Sequence, residues 1–158
     1  MNIRVGFGFD IHPLIEGREL WLGGIRFEHE KGLLGVSDAD VLIHAICDAL
    51  FGAANIGDLG VHFPETDEKN RGIDSKLLLK DAVDLIAAKG YSIGNVDATL
   101  CAERPKIMSH VPAMREILSK IMNIDIDDVS IKATTNEKLG YVGREEGMCA
   151  YACVLIHK

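Results

Sequence analysis

Asp10 and His12 stand two residues apart in the run Gly6-Phe7-Gly8-Phe9-Asp10-Ile11-His12. On an extended strand alternate side chains leave the same face, so this carboxylate and this imidazole can meet one ion. A third nitrogen ligand from a helix would leave a fourth coordination position open, the arrangement of a catalytic zinc rather than a structural one. His44 is the candidate. In a stretch that is otherwise apolar, Asp40, His44 and Asp48 recur at i, i+4 and i+8 as one polar stripe. A histidine on an apolar helix is ordinarily a satisfied core residue, but a carboxylate one turn away is what orients a metal-bound imidazole through its other nitrogen.

The elements that must position these residues follow from the local pattern. Residues 3–11 read as a strand in which Gly6 and Gly8 allow close backbone approach. No third glycine follows and no helix opens there, so a dinucleotide fingerprint is rejected. Residues 19–28 form a hairpin closed at Gly23-Gly24, and 29–37 a loop. Ser37 starts the clearest helix, with Asp40 three residues on in a capping-box arrangement and Asp38 in the first turn. Apolar residues from Val41 to Ala54 nearly encircle it, so it is buried. Residues 57–67 are dense in turn formers and read as an acidic loop. An amphipathic helix over 75–89 turns Leu77, Leu78, Ala82, Leu85 and Ile86 inward and stops at Gly90. Further strands are expected at 91–102, 129–133 and 148–156, with a helix over 109–122. A single domain over 1–158 is the default for this length.

Composition bounds the function. At 158 residues and 47% hydrophobic, the chain can bury one core. No window approaches the roughly 20 apolar residues of a membrane span, and the N-terminal run enters a strand without a signal-peptide core, so a soluble, cytoplasmic protein is expected. A net charge of −7 argues against nucleic-acid or anionic-membrane binding. Cys47, Cys101, Cys149 and Cys153 form no CxxC pair and read as buried thiols without disulfides.

A second chemical cluster runs from Thr134 to Arg144, with hydroxyls, an acid, two cations and two glycines. Such a segment can cradle phosphate through backbone N–H groups and an arginine fork, or be a solvated turn. The stretches GFGFDIHPL, KGLLGVSDADVLIHAICDALFGAANIGDLGVHFP, GYSIGNVDATL, ERPKI and KATTNEKLGYVGREEG resemble the 2-C-methyl-D-erythritol 2,4-cyclodiphosphate synthase family of the non-mevalonate isoprenoid pathway, nearly end to end.

The resemblance implies a divalent ion, zinc or manganese, at Asp10, His12 and His44, with Asp48 as an acidic neighbour of that helix. It implies erythritol phosphate contacts at Ser37, Asp58, Leu59, Gly60, Phe63, Pro64, Glu65, Thr66 and Asp67. A cytidine pocket falls at Ala102, Glu103, Arg104, Pro105, Lys106, Ile107 and Met108. Thr134, Thr135 and Glu137 stand at the diphosphate, Thr135 would be catalytic by adding a hydrogen bond where charge grows, and Asn136 would touch substrate. Glu137 would hold a second ion, magnesium or manganese, bridging the phosphates, and Tyr141 and Arg144 would touch substrate. The implied fold is α+β, a mixed sheet with helices packed on one face and a small hairpin, and the implied assembly is a homotrimer with inter-subunit sites acting on a cytidine diphosphate substrate. Two positions depart from the family pattern. Asn136 replaces a threonine with little expected effect, and Val36 replaces a histidine, which implies slow turnover or a substitute such as His29. A zinc phosphohydrolase and a non-catalytic metal and nucleotide carrier are the competing classes.

Overall fold

The first strand is long because it has two partners. In the computed structural model, which describes residues 2–158, β1 (Ile3–Glu16) runs antiparallel to β7 (Gly147–His157) along its first eleven residues and to β4 (Lys31–Leu33) at its end. β7 in turn pairs antiparallel with β5 (Ser92–Cys101), and β5 pairs parallel with β6 (Val129–Thr134), giving the order β4-β1-β7-β5-β6. A separate hairpin joins β2 (Leu20–Leu22) to β3 (Ile25–Phe27) through Gly23 and Gly24, both at positive φ, as expected. The mixed sheet, the helices on one face and the hairpin are the α+β arrangement that the family resemblance implies.

α1 (Val41–Ala54) lies across β1 and β7, α3 (Ser75–Ala88) packs beside it, and α4 (Val111–Met122) covers β6 as the crossover between the parallel strands. α1 can approach because β1 carries glycine at two inward positions. A Cβ on Gly6 would fall 1.9 Å from the Ala49 carbonyl oxygen, and one on Gly8 2.0 Å from that of Ala45. Helix and strand touch backbone to backbone.

Several expectations are corrected. α1 starts at Val41, not Ser37, because Ala39 sits at φ 58 and breaks any helical run between the two. The cap is Asp40, whose carboxylate accepts the Ile43 N–H and also those of Gly23 and Gly24, tying the hairpin to the helix. Part of the 29–37 loop is the edge strand β4. In α3 the inward residues are Leu78, Leu79, Ala82 and Ile86, while Leu77 and Leu85 are exposed. One helical turn, α2 (Leu59–His62), capped by Asp58, interrupts the 57–67 loop. Cys47, Cys101 and Cys149 are buried free thiols, but Cys153 is exposed on the outer face of β7, opposite Phe7. No helix among the described residues is long and apolar enough to cross a membrane.

The outer face of β1 stays uncovered. Ile3, Val5, Phe7, Phe9 and Ile11 are all exposed there, and Phe9 stacks near Tyr151 of β7.

Candidate active site

Even-numbered residues of β1 face α1, and past the two glycines the next two are Asp10 and His12. There the strand and the helix meet His44. The Asp10 carboxylate oxygen lies 2.9 Å from His12 Nε2 and 3.1 Å from His44 Nδ1, and the two nitrogens are 3.1 Å apart. Three donors so spaced form a near-equilateral triangle, close to the edge of about 3.3 Å that a tetrahedral ion with bonds of 2.0–2.1 Å requires. The set of one carboxylate and two imidazoles suits zinc or a similar divalent ion. Burial pushes the Asp10 carboxyl up, but hydrogen bonds and charge from His12 and His44 outweigh it and hold the group at about 2. His12 responds in reverse: burial lowers its pKa, but the hydrogen bond and charge of the Asp10 carboxylate outweigh that, and the net direction is up.

Each imidazole is fixed through its remote nitrogen. His12 Nδ1–H donates to the Leu34 carbonyl at 2.8 Å, leaving Nε2 free to ligate. His44 Nε2 lies 2.9 Å from the Ser75 hydroxyl and 3.1 Å from that of Ser37. The orienting oxygens are therefore two serines, not Asp40 or Asp48. Asp40 is committed to the hairpin, and Asp48 accepts the Leu59 N–H, fastening the loop beyond α1. Arg18 anchors the segment before α1 by donating to the carbonyls of Gly35 and Ser37.

The triad opens into a cavity of about 240 Å³ whose wall includes Val36, Ser37, Leu59, Gly60, Phe63 and Glu65. Asp58 lines an adjoining cavity with Asp48, while Pro64, Thr66 and Asp67 are on neither wall; Asp67 instead caps the turn at 68–70. Asn70, which the sequence reading passed over, also lines the triad's cavity and donates to the Pro64 carbonyl. A wider groove of about 670 Å³ next to it shares Phe63, Asn70 and Ile73 but contains no member of the triad. Val36 is on the triad's wall. His29 is not: its Nδ1 lies 3.1 Å from Glu30, so it does not stand in for the missing imidazole within the chain.

The second cluster builds a separate pocket of about 140 Å³. Ala102, Glu103, Pro105, Lys106, Ile107, Met108, Thr134 and Thr135 line it. Glu103 braces it, accepting the N–H groups of Asn136 and Lys138 at 2.9 and 3.2 Å. In this turn Glu137 stands at φ 51 and Lys138 at φ 62, a pair of left-handed non-glycine residues held by that carboxylate and by the Thr135 hydroxyl, which accepts the Glu137 N–H. Arg104 turns away from the pocket to pair with Glu145 and Glu30, and Arg144 pairs with Glu146. Tyr141 packs with Val142 over Cys101 and Cys149.

The two pockets share no lining residue. Ile11 is in register with Cys149, Cys149 with Cys101, and Cys101 with Thr134. Thr134 therefore leaves the sheet on the face opposite Asp10 and His12, three strand spacings or about 14 Å away.

The sequence model of the YgbB family matches residues 3–157. The chain is 68% identical over 158 residues to a 2-C-methyl-D-erythritol 2,4-cyclodiphosphate synthase of Bacteroides fragilis, covering all of this chain and 99% of that one. It is 57% identical to the protein of the same name from Porphyromonas gingivalis, over 97% of this chain and 94% of the other. Among solved structures, a 2C-methyl-D-erythritol-2,4-cyclodiphosphate synthase in a bound form with CDP matches with a TM-score of 0.90 at 36% identity, over 98% of this chain and all of that one. The bifunctional IspDF from Campylobacter jejuni matches with a TM-score of 0.94 at 39% identity, but this chain spans only 42% of that longer protein.

Proposed function

The chain belongs to the YgbB family, and from that premise we propose that it converts 4-diphosphocytidyl-2-C-methyl-D-erythritol 2-phosphate into 2-C-methyl-D-erythritol 2,4-cyclodiphosphate and CMP. It is a phosphorus–oxygen lyase of the non-mevalonate isoprenoid pathway by its homology. The observation that carries the finer reading is the convergence of Asp10, His12 and His44 on one point at the wall of a cavity.

The 2-phosphate of the substrate is already an anion, so its attack on the β-phosphorus needs no general base. Outside the triad, the cavity wall offers apolar surface at Leu59 and Phe63 and polar side chains at Ser37 and Glu65. A divalent ion held by Asp10, His12 and His44 would supply Lewis-acid polarisation of a phosphoryl oxygen and neutralise developing charge. Glu137 is one exposed carboxylate, the share a protein gives to magnesium or manganese that is otherwise held by substrate phosphates. Thr134 and Thr135 offer hydroxyls beside it, and the pocket from Ala102 to Met108 takes the cytidine.

We further propose a homotrimer in which one subunit's triad meets the cytidine pocket of its neighbour. Two features support this: the triad's cavity and the cytidine pocket share no lining residue within one chain, and the uncovered apolar face of β1 is available to bury. Light scattering coupled to size exclusion tests it; a monomer that turns over would refute it.

Product analysis by phosphorus NMR with the substrate, zinc and magnesium tests the reaction. Cyclic diphosphate with CMP is the expected result, whereas inorganic phosphate would assign a hydrolase. Glu103→Gln weakens the charge-assisted brace on 136–138, and the affinity for CDP is expected to fall about tenfold, a loss of about 1.4 kcal/mol. Zinc affinity stays unchanged, since Glu103 does not line the triad's cavity; calorimetric titrations read both. Val36→His is expected to raise turnover about tenfold or more at constant zinc content by adding a donor to the cavity wall. Equal turnover would show that this donor does not limit the reaction.

A further inference from the structure

We propose that Ser75 and Asp38 are positioning residues for the metal centre: together they keep the proton of His44 on Nε2 and so present its Nδ1 lone pair to the ion. The proposal rests on the reading of Asp10, His12 and His44 as a metal site. His44 is only 5% exposed and Ser75 is fully buried, so no solvent competes for the contact between them. Asp38 places one carboxylate oxygen on the Ser75 hydroxyl and the other 3.0 Å from the Ser75 N–H. A carboxylate can only accept, so the hydroxyl hydrogen of Ser75 points at Asp38. What Ser75 then offers His44, 2.9 Å away, is a lone pair. An imidazole nitrogen facing a lone pair must carry its hydrogen, which fixes the tautomer.

Ser37 cannot make this choice. Its oxygen accepts the Ala39 N–H and its own hydrogen is free, so it can meet either tautomer of His44. The arm is also held by the backbone. Asp38 N–H donates to the Ile73 carbonyl and Gly72 N–H to that of Val36, stitching the segment before α1 to the start of α3. Ser75 is the first residue of α3, where the helix N-terminus favours the Asp38 anion. His12 reaches the same end with the Leu34 carbonyl alone. His44 lies inside α1, and its orienting group comes from a residue 31 positions later in the chain.

The test compares zinc affinity in metal-stripped wild type, Ser75→Ala and Ser75→Thr by competition with a chromophoric chelator. Wild type is expected to bind zinc, Ser75→Ala to bind roughly 10- to 100-fold more weakly, and Ser75→Thr, which keeps the hydroxyl, to recover most of the loss. A failure of wild type to bind zinc would overturn the metal-site reading and the proposal with it. Zinc binding by wild type with equal affinity in Ser75→Ala would overturn the proposal alone. A merely structural Ser75 would lower the melting temperature of the alanine variant without moving affinity. Nitrogen-15 NMR of zinc-loaded wild type reads the ring whether or not a variant folds: a proton on Nε2 of His44 with Nδ1 bound to the metal is expected, and the reverse assignment overturns the proposal.

Discussion

Asp10→Asn is expected to remove tight zinc binding and to lower turnover by roughly 10³-fold or more. Asp10 contributes the one anionic donor of the triad, at 2.9 and 3.1 Å from its two imidazole partners. Asparagine keeps the shape and one oxygen but loses the charge. Lewis-acid stabilisation worth about 4 kcal/mol corresponds to that thousandfold. The same variant reports on the metal-free fold. Because the carboxyl is held at about 2 against an ordinary 3.8, it stabilises the stripped protein by about 2 kcal/mol. Its pKa is depressed in the folded state, so this contribution is present above pH 4 and lost as pH falls towards 2. Stripped Asp10→Asn should therefore melt roughly 4–8 °C below stripped wild type near neutrality and converge with it in acid. Zinc affinity and turnover equal to wild type's would remove Asp10 from the site.

The triad was legible because each part of it obeys a local period: two residues for Asp10 and His12, and a lone polar stripe on an apolar helix for His44. The reasons assigned to that stripe were only partly right. Asp40 does face a demand for acceptors, but the donors are Gly23 and Gly24 of the hairpin rather than the imidazole. No local pattern links Ser75 to His44, since the contact depends on how α3 docks beside α1. β4 was hidden because three residues are too few to show alternation, and Gly32 leaves a gap in even those; a Cβ there would meet the Glu19 carbonyl oxygen at 2.2 Å. Leu77 and Leu85 fit a helical stripe as well as Leu78 and Leu79 do, and only packing against α1 and α4 chooses between the two faces. The uncovered β1 face could be anticipated from its run of apolar odd positions. That Thr134 shares that face could not, because it needs the register of three strand pairs.

Gly8→Ala should break the fold and the site together. A methyl at position 8 would meet the Ala45 carbonyl oxygen at 2.0 Å and the Ala49 nitrogen at 2.7 Å, both backbone atoms of α1. No side-chain rotation relieves such a contact, so the helix must move off the strand. Forced overpacking of this kind costs about 3 kcal/mol, or roughly 6–12 °C in melting temperature for a chain of this size. Ala45 adjoins His44 in α1, and Gly8 lies two residues before Asp10 in β1. Any displacement that frees the methyl group therefore separates His44 from Asp10 and His12. Zinc affinity should fall by at least tenfold even where the variant remains folded, since about 1.4 kcal/mol of lost ligand geometry suffices. Gly17→Ala is the control: a Cβ there has no neighbour within 4 Å, so its only penalty is its positive φ of 76. It should lose stability without losing zinc. If Gly8→Ala were as stable as wild type and bound zinc as tightly, the backbone contact between β1 and α1 could not be what sets the spacing of the triad.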